Sequence, residues 1–229
     1  IDLNNQKIKK INHNLKILED GQGGLLEVLY FNEKVFVSYS ENLKNGYSST
    51  SVAAAKFNKK ALNFRNIFRA EPPINSGYHF GSRLVIKDNF LYITVGERGK
   101  GMIAQDPTKH PGSIIRIHLD GRIPKDNPKF KDKKEWLPEI FQIGVRNPQG
   151  MDLSPYDNKI YLSEYLSDDI TFSGNNRYNL KGSKYKRKIQ FNFIPNCNIL
   201  VFNIQRNYGQ IIDQTVIADK YLKINDSDE

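Results

Sequence analysis

The residues able to do chemistry gather in two short regions. The first holds Gly77-Tyr78-His79-Phe80-Gly81-Ser82-Arg83 and, after an apolar run, Gly96-Glu97-Arg98-Gly99. The second is Gly144-Val145-Arg146-Asn147-Pro148-Gln149-Gly150. Histidine is the side chain that exchanges a proton near neutral pH, with an unperturbed pKa of about 6.5. Arginine is a fixed planar cation that donates to anionic oxygens. By residue type alone, however, His79 reads as a turn histidine capping a strand. Arg146-Asn147 reads as a strand-end turn with Pro148 blocking further pairing. Glu97-Arg98 reads as an exposed polar turn. His13, His110 and His118 have no metal-ligand spacing, and His118 is expected to face solvent from an alternating strand. No Ser-His-Asp motif, P-loop or dinucleotide glycine fingerprint occurs. Asp168-Asp169 lacks the spacing of an EF-hand loop, so no metal ligand is assigned.

The elements that must position these residues are strands. Arg83–Ile86 and Leu91–Val95 flank Lys87-Asp88-Asn89, and such β-branched and aromatic runs around a polar break predict a hairpin. Met151 to Tyr165 predicts a second. Upstream, Gly21-Gln22-Gly23-Gly24 is a sharp turn. Leu25–Phe31 and Lys34–Ser40, joined by Asn32-Glu33, have hairpin spacing. Residues 42–51 read as a polar loop, and Ser51–Phe57 with Phe64–Arg69 as another strand pair ended by Pro72-Pro73. Ser113–Leu119 and Glu139–Val145 are further strands, with Arg122–Leu137 irregular between them. Residues 1–20 alternate weakly, enough for one strand. Lys186–Ile194 and Cys197–Gln205 read as strands, and Thr215–Ile224 as a strand or short helix. Helical periodicity is nearly absent. Strand pairs recur at roughly the 40–50-residue spacing of propeller blades, a density that a β-sandwich shares.

Composition bounds the rest. The chain has 229 residues, a net charge of +9 and a single cysteine, Cys197, which rules out an internal disulfide. No apolar run approaches the ~20 residues of a membrane-spanning helix, and no signal peptide is visible. Lysine is spread along the whole chain. The one dense basic cluster, Lys184-Tyr185-Lys186-Arg187-Lys188, reads as a solvated loop or strand edge. No nucleic-acid partner is expected.

Taken together, the motifs resemble the glucose/sorbosone dehydrogenase family. They are Gly21-Gln22-Gly23-Gly24-Leu25, Ser76 to Leu84, Gly96-Glu97-Arg98-Gly99 and Ala104-Gln105-Asp106. Asp120-Gly121-Arg122-Ile123-Pro124 with Asp126-Asn127-Pro128, and Arg146-Asn147-Pro148-Gln149-Gly150, complete the set. Their order and rough spacing fit as well. The resemblance implies an all-β fold, a β-propeller of the six-bladed sugar dehydrogenase type. At ~40–50 residues per blade, about four blades fit, so the ring is expected to be incomplete. Residues 1–165 match the family, and 166–229 are expected to be a divergent β-rich tail of the same domain.

The resemblance further implies oxidation of an aldose sugar at its anomeric carbon, with pyrroloquinoline quinone (PQQ) as cofactor and an external electron acceptor. His79 resembles the family base, which takes the anomeric hydroxyl proton. Gln22, Arg146 and Asn147 resemble cofactor contacts. Gln22 would also face substrate, and Glu97 would orient His79 or bind a sugar hydroxyl. A periplasmic or secreted location is implied. The chain departs from the family after Ser163-Glu164, where a histidine and a Gly-Pro-Gly-Gly-Asp-Glu-like run normally help hold calcium. Here the sequence is Tyr165-Leu166-Ser167-Asp168-Asp169, so no complete calcium cage is expected. That loss favours an alternative, a non-catalytic propeller module binding a sugar or protein partner. Gln22, His79 and Arg146 are expected at one end of the propeller, because each sits at a strand boundary.

Overall fold

The computed structural model describes residues 8, 10–128, 135–164, 190–193 and 199–203. The strands are β1 (Asn12–His13), β2 (Leu25–Phe31), β3 (Lys34–Asn42), β4 (Ser48–Lys56), β5 (Ala61–Leu62) and β6 (Arg65–Arg69). Then come β7 (Gly81–Lys87), β8 (Phe90–Val95), β9 (Ser113–His118), β10 (Ile140–Ile143), β11 (Pro148–Leu153) and β12 (Ile160–Glu164). Last are β13 (Gln190–Phe193) and β14 (Ile199–Asn203). The described residues form three four-stranded sheets, β2-β3-β4-β6, β7-β8-β9-β10 and β11-β12-β14-β13, plus a two-residue pairing of β1 with β5.

The first two sheets are antiparallel meanders. Their tight hairpins follow from the turn residues. Asn32 and Glu33, and again Asp88 and Asn89, all adopt positive φ, the backbone twist that a two-residue hairpin favours. In the third sheet β11–β12 and β13–β14 are antiparallel, but β12 and β14 run parallel, a departure from the antiparallel blade.

Burial on both faces explains why the strands read as near-continuous apolar runs. Alternate residues of one strand point to opposite neighbours. Leu84, Leu91, Ile93, Ile115 and Ile117 join Phe36, Val52 and Phe68 in a core between the first and second sheets. Val85, Tyr92 and Ile114 pack with Val145, Ile160 and Leu162 between the second and third. Each buried aliphatic side chain contributes about 1.5–3 kcal/mol, so the sheets hold one another through side chains rather than through shared ladders. β7, the first strand of its sheet, lies against β2 and β11, the first strands of the other two. Arg83 on β7 donates to the Leu26 carbonyl of β2 at 3.4 Å and to the Gln149 carbonyl of β11 at 2.5 Å. Sheets stacked face to face with their first strands inward are propeller blades.

Several local expectations need correction. Residues 48–51 belong to buried β4 rather than to a polar loop. The run Ser48-Ser49-Thr50-Ser51 tolerates burial because hydroxyls find acceptors: Thr50 Oγ1 donates to the Phe80 carbonyl at 2.8 Å, and Ser51 Oγ to Glu41 Oε2 at 2.7 Å. Of residues 1–20, only Asn12–His13 is a strand among those described. Pro148 does not block pairing but opens β11 opposite Glu164, at a strand start where its missing N–H is tolerated. His118 is half buried, its ring tilted 5.0 Å from that of Phe90. The expected segment Thr215–Ile224, the basic cluster 184–188 and Asp168-Asp169 lie outside the described residues.

Candidate active site

β2, β7 and β11 begin immediately after the three motif turns that carry Gln22, His79 and Arg146-Asn147. β8 runs antiparallel to β7 and ends just before Glu97. The geometry therefore gathers all five residues at one end of the blades, in four turns that touch. The Gln22 N–H donates to the Gly77 carbonyl at 2.7 Å, and its side-chain Oε1 accepts the His79 N–H at 2.8 Å. The Glu97 N–H donates to the Arg146 carbonyl at 2.8 Å. Asn147 Oδ1 accepts the Gly81 N–H at 3.2 Å.

Two glycines permit this closeness. Gly21 has φ +56°, and a Cβ there would strike the Gly77 carbonyl. A Cβ at Gly96 would overlap the His79 carbonyl. Both turns thus need residues without side chains where the backbones meet.

At the centre, His79 Nδ1 is hydrogen-bonded to Glu97 Oε1. The His79 side chain is 15 % exposed and that of Glu97 4 %. The other carboxylate oxygen, Oε2, accepts the Gly101 N–H at 2.6 Å, which ties the acid to the 3-10 turn Gly101–Gln105. A carboxylate can only accept, so the network assigns the ring proton to Nδ1. The lone pair then lies on Nε2, which has no hydrogen bond to another described residue. This arrangement can take a proton at Nε2 and stabilise the resulting imidazolium. Tyr78, 61 % exposed, stands beside the imidazole with ring centroids 6.3 Å apart.

Arg98 was not legible as anything but a surface turn residue, yet it is 2 % exposed. Its guanidinium lies 3.7 Å over the Phe80 ring. It donates to the carbonyls of Tyr78 at 2.9 Å and Ser48 at 3.1 Å, to Ser48 Oγ at 2.9 Å, and to the Ser76 carbonyl. Burial pushes its pKa down to about 10, against the opposing pull of Glu97. Its sequence signal was only the glycine on either side of Glu97-Arg98. His110 sits elsewhere, in a separate pair with Glu139. Among the described residues, no three His, Cys, Asp or Glu side chains cluster as for a metal.

The "Glucose / Sorbosone dehydrogenase" family model matches residues 1–169. Among curated proteins, the chain is 37 % identical to "Aldose sugar dehydrogenase YliI" of Escherichia coli over 154 residues, covering 63 % of this chain and 41 % of that protein. It is 29 % identical over 182 residues to "Quinoprotein glucose dehydrogenase B" of Acinetobacter calcoaceticus, covering 63 % and 36 %. Among solved structures, the soluble aldose sugar dehydrogenase of Escherichia coli in its apo form superposes with a TM-score of 0.64 at 34 % identity, over 68 % of this chain and 47 % of that one. The chain spans less than half the length of each of these relatives.

Proposed function

We propose, from the premise that this chain belongs to the glucose/sorbosone dehydrogenase family, that its end-of-blade site oxidises an aldose at the anomeric carbon with PQQ as cofactor. The observation that carries the reading is the His79–Glu97 pair, with Nδ1 held by Glu97, Nε2 without a hydrogen bond to another described residue, and the His79 main-chain N–H held by Gln22. The blades that match the family fall within residues 1–165, and most of the divergent tail 166–229 lies outside the described residues.

His79 Nε2 takes the proton from the C1 hydroxyl of the sugar. Glu97 keeps the imidazole oriented and stabilises its positive charge as the proton arrives. PQQ held here would supply the acceptor for the C1 hydrogen and its electron pair as the sugar becomes a lactone, and an external acceptor would take the electrons onward. Arg146 provides a guanidinium suited to the cofactor's carboxylates. Asn147 holds the Arg146 turn against Gly81 through Oδ1 and can offer its amide N–H groups to the cofactor. Gln22 likewise uses Oε1 on His79 and can offer its NH2 group to cofactor or substrate.

These donors suit an anionic quinone. For calcium the fit is poorer. No acidic cluster is present among the described residues, and residues 165–169 replace the family's metal-binding run. That replacement favours the second reading, a non-catalytic propeller module that binds a sugar or protein partner. Spectroscopic titration with PQQ and calcium, followed by an aldose and a dye acceptor, tests both. Sugar-driven quinone reduction supports the enzyme. Bound PQQ with no reduction by any aldose sinks it in favour of the binding module.

A further inference from the structure

We infer that Arg98 is a positioning residue for His79, its buried guanidinium fixing the loop that presents the imidazole to Glu97. This rests on the proposed reading of His79 as the base. His79 has φ +52°, a left-handed conformation that is sterically costly for a residue with a Cβ. The peptide units on both sides of it are held by one residue. Arg98 Nε donates to the Tyr78 carbonyl at 2.9 Å, and the Arg98 main-chain N–H donates to the His79 carbonyl at 3.3 Å.

The remaining guanidinium nitrogens anchor that clamp to the first sheet. Nη1 donates to the Ser48 carbonyl at 3.1 Å, and Nη2 to Ser48 Oγ at 2.9 Å and to the Ser76 carbonyl. Phe80 closes the face of the plane at 3.7 Å. Arg98 also follows Glu97 directly, so fixing its backbone fixes the carboxylate that meets His79 Nδ1. The Arg98 side chain thus adds to the holds that Gln22 has on the His79 N–H and Gly101 on the Glu97 carboxylate.

The role is one of positioning rather than of holding the fold. Of the partners of its guanidinium only Ser48 belongs to a strand, while Ser76, Tyr78 and Phe80 lie in the loop before β7. Lysine cannot replace it. An ammonium is a compact point charge on a flexible stem and lacks the planar fork that serves several carbonyls at once and lies flat on a ring.

The test uses the full chain with Arg98→Lys and Arg98→Met. Three quantities are measured: kcat and KM with PQQ, calcium and an aldose; the thermal midpoint; and the imidazole 15N signals of His79 in the cofactor-free protein. Arg98→Lys is expected to fold and to lose about 10²-fold in kcat, as for a base displaced by about 1 Å, with KM changed far less. The His79 signals should pass from the Nδ1–H tautomer to a mixture, while those of His110 stay fixed as the internal control. Unchanged His79 signals in a folded variant, or unchanged kcat, would overturn the inference. If the unmutated chain turns over no sugar, the enzyme reading fails and the 15N signals alone decide the positioning role. If Arg98→Met does not fold, Arg98→Lys decides. Failure of both to fold also overturns the inference, since Arg98 would then belong to the fold and not to the loop.

Discussion

Two histidine–glutamate pairs occupy different regions of this molecule, and the same two side-chain types end in different states. His110 is buried between the 71–73 turn and β10. Its Nδ1 accepts the Glu71 N–H at 2.8 Å, and its Nε2 bonds Glu139 Oε1 at 2.9 Å. Since Nδ1 accepts, the proton sits on Nε2 and is donated to Glu139. Phe68 covers the ring edge-on at 5.2 Å. No lone pair is left for chemistry. His79 shows the reverse tautomer, with Nδ1 donating to Glu97 and Nε2 without a hydrogen bond to another described residue. A carboxylate beside a histidine therefore does not make a base. The second nitrogen decides, and its fate is set by whether a backbone N–H lies in reach.

The contrast breaks most sharply at the histidines themselves. His79→Ala should lower turnover by about 10²–10⁴-fold while leaving the thermal midpoint and PQQ affinity nearly unchanged. His110→Ala should leave turnover per folded molecule intact. Equal losses of kcat in the two would erase the distinction. Next in size, Arg146→Ala should weaken PQQ binding by about 10–100-fold, the range for one charge-assisted hydrogen bond of 1.5–3 kcal/mol. Fluorescence titration measures it, and unchanged affinity would remove Arg146 from the cofactor site.

The structural pair has its own signature. His110→Ala leaves the Glu71 N–H and the Glu139 carboxylate without their partner, so urea unfolding should show a loss of about 1–3 kcal/mol. The smallest effect concerns acid. Burial would raise the Glu139 carboxyl, but the hydrogen bond from His110, with one from the backbone, outweighs it and holds the group below its ordinary 4.5. A depressed carboxylate stabilises the fold above its unfolded pKa, and that stability is lost as pH falls through the folded value. Glu139→Gln should accordingly flatten the decline in urea-unfolding stability below about pH 4.5. An acid limb identical to that of the unmutated chain would show that the pair contributes nothing there.

Period and turn chemistry made much of this fold legible. Asn32-Glu33 and Asp88-Asn89 are residue pairs placed where two alternating runs must reverse, and both hairpins form there. The glycine-flanked motifs located Gln22, His79, Glu97 and Arg146, because each sits where a strand starts or stops. Side-chain partners far apart in the chain were not legible. Nothing local indicates that Glu97 meets Nδ1 rather than solvent, or that Arg98 turns inward to reach Ser48, fifty residues upstream. The serine run of β4 misled for the same reason. Its polarity predicts a loop, and only the carbonyl of Phe80 and the carboxylate of Glu41, brought from other elements, make its burial tolerable. The parallel pairing of β12 with β14 has no sequence signal at all, since strand direction leaves no mark on the alternation of residues.

Arg83 bears on how the molecule assembles. One guanidinium bridges carbonyls on the first strands of both flanking sheets, so either neighbour docked alone leaves part of its fork without an acceptor. The second sheet is thereby joined to both partners through one side chain. Each hairpin of the stack is built largely from local contacts. A cation placed at the inner edge adds a contact that is complete only when both neighbours are docked.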